Sequence, residues 1–71
     1  MTRLIDGREM VPPEPLELTL AALDTLPEGE EVVLLVNCHP VPLFEILRRS
    51  GSTWTETIHA DGTHEIRIRR R

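Results

Sequence analysis

The chain contains no lysine and no tyrosine, and only one cysteine, one tryptophan and one phenylalanine among its 71 residues. Each shortage excludes a class of protein. A single cysteine, Cys38, closes no internal disulfide and supplies no cysteine-rich zinc site. Trp54 and Phe44 alone make a poor base-stacking platform. No apolar run approaches the roughly 20 residues of a membrane helix. The opening Met1-Thr2-Arg3-Leu4-Ile5-Asp6-Gly7 lacks the apolar stretch of an export signal. Together with the lone unpaired thiol, this points to a reducing cytoplasm. There is no glycine-rich phosphate loop, and the serines and threonines show no triad-like arrangement.

What remains is a small chain with an uneven distribution of charge. Eight arginines and twelve acids leave a net charge of −4. Residues 1–31 hold eight of the acids and two of the arginines, whereas residues 32–71 hold four acids and six arginines. Arg67, Arg69, Arg70 and Arg71 close the chain. A basic terminus attracts phosphates, but the acidic remainder lacks the broad basic face of a nucleic-acid binder. The arginine run therefore reads as a solvated strand end. With no internal repeat and no linker, residues 1–71 read as a single domain, near the lower size limit for one hydrophobic core.

Local patterns divide the chain into six elements. Leu4 and Ile5 begin a short strand that Asp6-Gly7 interrupts. Pro12-Pro13-Glu14-Pro15 then leads into a helix with Leu16, Leu20 and Leu23 on one face and Leu26 close behind. Prolines are tolerated in a first turn, where backbone N–H groups have no intrahelical partner. Glu14 and Glu17 suit the positive end of the helix dipole. Pro27-Glu28-Gly29 stops that helix. The unbroken run Val32-Val33-Leu34-Leu35-Val36 predicts a central strand buried on both faces or nearly so. A second helix is predicted over Val41–Ser50, with Leu43, Ile46 and Leu47 inward and Gly51 closing it in the left-handed conformation. The last segment predicts a hairpin. A three-residue loop, Ala60-Asp61-Gly62, puts Trp54, Ile58, Ile66 and Ile68 on one face and Thr55, Thr57, Arg67 and Arg69 towards water.

The order is β-α-β-α-β-β. A helical connection makes the first two strands parallel, with a right-handed crossover. The expected fold class is α/β (α+β), a two-layer sandwich with two helices on one face of a four-stranded mixed sheet. The C-terminal ends of the parallel strands, and the starts of both helices, then share one edge. Two helix N-termini there favour anions, and Arg8 and His39 add donors. Glu9 and Glu14 oppose an anion.

Cys38-His39 is the one adjacent pair of reactive side chains. A cysteine near a helix N-terminus can act as a nucleophile or sulfur carrier. Its plainer reading is a small buried hydrophobe at a strand end. His39 has the chemistry to ligate a metal or haem iron, against the plainer reading of a loop histidine. His59 and His64 flank the hairpin loop, but in the three-residue register they point to opposite faces. No metal site and no cofactor are expected.

Asp6-x-Arg8-x-x-x-Pro12-Pro13-Glu14-Pro15-Leu16 and Pro40-x-Pro42-Leu43 carry a resemblance that covers residues 4–69. They resemble a bacterial domain-of-unknown-function family related to the TusA/SirA-like proteins, which implies the same β-α-β-α-β-β sandwich. TusA-like sulfur carriers hold a persulfide on the cysteine of a Cys-Pro-x-Pro motif at the start of the first helix. Here Pro13-Glu14-Pro15 matches the last three positions, and Pro12 stands where that cysteine would be. Relatives of this family often resemble Asn-Asp-His-x-Pro-x-Pro-Leu in the second loop. This chain departs from that pattern, with Cys38 replacing the aspartate and His39 directly preceding Pro40. Members can sit beside hemerythrin-like or other redox-related domains, which implies a redox context.

The leading expectation is a non-catalytic module. It binds a small molecule or a protein partner at the edge formed by Arg8, Pro12, Glu14, Cys38 and His39. The alternative is a divergent sulfur carrier or redox thiol using Cys38. Neither membrane nor nucleic acid is an expected partner, and the chain is expected to be a monomer or a weak homodimer.

Overall fold

A computed structural model describes residues 2–70. The elements run in the order β1 (Thr2–Asp6), α1 (Glu14–Asp24), β2 (Glu31–Val36), α2 (Val41–Ser50), β3 (Thr53–Ile58) and β4 (His64–Arg69). The strands form one sheet in the order β1-β2-β4-β3. β1 and β2 are parallel, while β4 runs antiparallel to both β2 and β3. Arg71, the last of the terminal arginines, lies outside the described residues.

Alternation sets the two faces of the sheet. The pairs Val32↔Ile68, Leu34↔Ile66 and Val36↔His64 place one set of β2 and β4 side chains on the inner face. Leu23 and Leu26, from α1 and the turn after it, join Leu43 and Leu47 of α2 over Val32, Leu34, Ile66 and Ile68 in one core cluster. Thr19 also sits fully buried on the inner side of α1. Its hydroxyl donates to the Pro15 carbonyl at 2.7 Å, so no polar atom is stranded. On the outer face, Val33 and Leu35 of β2 lie opposite Arg67 and Glu65 of β4. Val33 is nonetheless only 5% exposed, so β2 is buried on nearly both sides, as its unbroken apolar run predicts.

α2 spans the ten residues that the sequence pattern predicts, and Gly51 ends it at φ +76°. α1 ends earlier, at Asp24, with the Thr25 N–H bonded to the Ala22 carbonyl. The hairpin adopts the three-residue loop. The His59 N–H donates to the Thr63 carbonyl at 2.8 Å, and Gly62 sits at φ +90°. Trp54, Ile66 and Ile68 face inward as expected, but Ile58 is 64% exposed. Ile58 has the inward parity, yet it lies at the loop end of β3, the edge strand of the sheet.

The outer face is held by charge. Arg67 bonds Glu31 and Glu65, each at 2.7 Å, and Arg69 approaches Glu31 at 3.7 Å. Arg67 and Arg69 are thus engaged by sheet carboxylates. No helix among the described residues is long and apolar enough to cross a membrane.

Leu47 is fully buried in this small core. Leu47→Ala should lower unfolding free energy by about 2–5 kcal/mol in urea denaturation. The exposed Leu18→Ala should stay within about 0.5 kcal/mol of the parent chain.

Candidate functional site

The parallel pairing of β1 and β2 brings two loops together at one end of the sheet. The Gly7 N–H donates to the Leu35 carbonyl at 2.8 Å, extending the ladder by one bond. The Asn37 side-chain amide donates to the Arg8 carbonyl and ties the second loop to the first. A side chain at Gly7 would meet Pro15 at 3.0 Å and the Leu35 carbonyl at 3.2 Å, so the two loops approach tightly at this glycine. The Pro12–Pro13 peptide bond is cis.

Between these loops lies a pocket of about 390 Å³. Arg8, Pro12, Cys38 and His39 line it, so the fold gathers four of the five residues expected at this edge. Glu14 is absent from the lining and exposed in the first turn of α1. Met10, Leu16, Leu34, Val36 and Leu43 supply much of the wall.

The electrostatic character of this edge differs from the anion cradle that two helix N-termini suggest. Five of the six prolines, Pro12, Pro13, Pro15, Pro40 and Pro42, line the pocket. Prolines stand in the first turns of both helices, where they replace N–H donors with apolar rings. The guanidinium of Arg8 is also engaged. Its Nε and Nη2 donate to Asp6 at 2.8 and 2.7 Å. These side-chain hydrogen bonds, together with one from the Arg8 backbone N–H, hold the Asp6 carboxyl down at about 2. The result is a largely apolar pocket with a neutralised ion pair at its rim.

Cys38 is exposed, which overturns its reading as a buried hydrophobe. The strand ends at Val36, so Cys38 falls in the loop beyond the core rather than on the sheet.

A second group of side chains was not read from the sequence. His39 Nδ1 lies 2.9 Å from Glu56 Oε2, and His64 Nδ1 lies 2.8 Å from the same oxygen. Burial is the strongest single influence on Glu56 and opposes its ionisation. The hydrogen bonds and charge of His64 and His39 together outweigh it, and the carboxyl titrates below its ordinary value. His39 packs edge-on against Phe44, with centroids 4.7 Å apart, and Phe44 stacks on Trp54 at 5.4 Å. His59 turns away and bonds Glu65 at 2.8 Å, consistent with the opposite faces expected for His59 and His64. Half the signal was available in the hairpin register, which puts Glu56 and His64 on the inward face among isoleucines. The arrival of His39 was not, because it depends on where the β2–α2 loop lands.

With the geometry in place, the architecture is that of the SirA-like proteins. The crystal structure of a SirA-like protein from Desulfitobacterium hafniense superposes with a TM-score of 0.82 at 25% sequence identity, covering 97% of this chain and 96% of that one. The chain belongs to the DUF2249 family, described as "Uncharacterized conserved protein", which matches residues 4–70. No curated protein matches the chain.

Asp6 ionises well below an ordinary aspartate, so the sign of its contribution to stability is defined. The contribution is in place above the usual carboxylate range and is lost as pH falls towards about 2. A carbon-detected NMR titration should find the Asp6 midpoint near that value, and Arg8→Ala, which keeps the backbone hydrogen bond, should raise it towards the ordinary range.

Proposed function

We propose that the chain is a non-catalytic binding module that takes a small, largely apolar molecule between its two proline-bearing loops. The supporting observation is the pocket of about 390 Å³ at the C-terminal end of the parallel strands. Its size falls in the range of small-molecule sites, and its wall is apolar with few polar groups, as such sites are. The ends of parallel strands are also where α/β sheets commonly receive ligands. Pro12 replaces the cysteine of the sulfur-carrier motif, so that position has no sulfur to carry. The reading treats residues 1–71 as one domain, with the cytoplasm as its setting and Arg8, Cys38 and His39 at the rim.

One observation favours a second reading. Cys38 is exposed and lines the same pocket. As a sulfur carrier, its thiolate would attack the outer sulfur of a donor persulfide. A new S–S bond would form at Cys38 and the donor would leave as a thiolate.

Backbone-amide NMR of the full chain, titrated with a panel of small aliphatic and aromatic fragments, tests the binding reading. Shifts should concentrate at Gly7, Met10, Leu16, Cys38 and Leu43. Changes confined to residues 59–63 of the hairpin, or none, would refute it. Incubation with a cysteine desulfurase and cysteine, followed by intact mass spectrometry, tests the rival. One added sulfur on Cys38 would establish that reading, and an unchanged mass would remove it.

A further inference from the structure

We propose that His39, Glu56 and His64 form a binding site for a divalent first-row transition-metal ion of the zinc class. The three side chains come from three segments: the β2–α2 loop, β3 and β4. Their ligand atoms all lie within 4.8 Å of one another. Two imidazole nitrogens and one carboxylate oxygen are a donor set that suits zinc and its neighbours better than magnesium or calcium.

The distances are close to those a bound ion needs. Zinc sits about 2.0–2.2 Å from nitrogen and oxygen ligands, so tetrahedral ligands stand about 3.4 Å apart. Here the two Nδ1 atoms stand 2.9 and 2.8 Å from Glu56 Oε2. Admitting an ion requires the rings to part from the carboxylate by about 0.5 Å and the ligand atoms, which lie within 4.8 Å of one another, to close around it.

The surroundings favour a cation over a purely structural cluster. Glu56 and His64 occupy the inner face of the sheet, with side chains 18% and 15% exposed. The same face carries Ile66, Ile68, Leu34 and Val36, so packing alone does not call for a carboxylate or an imidazole there. The chain also treats its other partly buried sheet carboxylates differently. Glu31 and Glu65 both bond Arg67, whereas the hydrogen-bonding partners of Glu56 are the two histidines. In partial burial, a carboxylate whose hydrogen-bonding partners are two imidazoles attracts a cation more strongly than it would in water. The His39 ring is further steadied by Phe44, itself stacked on Trp54, which limits the entropy lost when a ligand ring must hold one orientation. Three protein ligands leave at least one coordination position for water or an added donor. His39 belongs to both this cluster and the pocket lining, so an ion here would sit beside the pocket.

The test is zinc binding to the metal-stripped full chain, followed by calorimetry and by histidine-ring ¹⁵N NMR. The expected result is one zinc per chain, with the Nδ1 resonances of His39 and His64 displaced and those of His59 unmoved. Glu56→Gln keeps the shape of the carboxylate and removes its charge. It should weaken binding at least ~10-fold, whereas His59→Ala should leave affinity unchanged. Should Glu56→Gln fail to fold, as judged by its amide spectrum, the ring shifts of the unaltered chain decide the matter. Absence of binding at millimolar zinc would leave a hydrogen-bonded triad only and overturn the proposal. So would zinc that displaces the His59 ring or survives Glu56→Gln unweakened. Fragment binding is measured without metal, so failure of the pocket reading and failure of this one are separable.

Discussion

The parallel pairing of β1 with β2 is the constraint on which the rest of this molecule depends. It sends both strands out at one end of the sheet, so both following loops must turn back over the same edge. Each loop then starts a helix that returns over the inner face. The antiparallel register of β4 adds a third segment to that end, because Val36, the last residue of β2, lies opposite His64, the first of β4. The pocket and the histidine–glutamate cluster are thus neighbours by topology. Both sit where three segments are forced together, and His39 belongs to each.

Proline shapes the chemistry of this edge as much as its geometry. Two helix starts facing one space would ordinarily present a set of backbone donors to an anion. Here the helix starts carry proline, and the pocket wall is built from proline rings and aliphatic side chains. The one nearby guanidinium is already paired to Asp6. The mouth of this SirA-like scaffold is thus lined mainly by apolar groups.

Features set by local chemistry were legible in the sequence. α2 could be bounded to the residue, because Pro40 precedes it, Gly51 ends it and its leucines repeat at helical spacing. The hairpin register followed from Gly62 and from the need to bring Trp54 and Ile58 onto the face of Ile66 and Ile68. Where the outcome depended on coverage by another element, legibility ended. Ile58 has inward parity but no helix above it, and Cys38 follows a buried strand yet stands beyond the core. The edge carrying Arg8, Pro12, Cys38 and His39 was readable because topology alone joins those loops. Glu14, between the lining residues Pro13 and Pro15, is exposed and takes no part in the wall, a side-chain direction that topology does not give. The grouping of Glu56 with two histidines was legible only in part, since sequence periodicity places β3 and β4 side chains but not the reach of a loop.

Among the described residues, no helix covers the outer face of the sheet. Its cover is the paired chain of Arg67 with Glu31 and Glu65, together with exposed threonines of β3. Strand alternation keeps these side chains off the face that carries Val32, Leu34, Ile66 and Ile68. The sheet therefore has two largely separate sets of positions, one facing the helices and the other facing its surroundings. Substitution along the second set can adapt the same scaffold to a different salt regime or a different neighbouring protein, with little demand that the interior change in step.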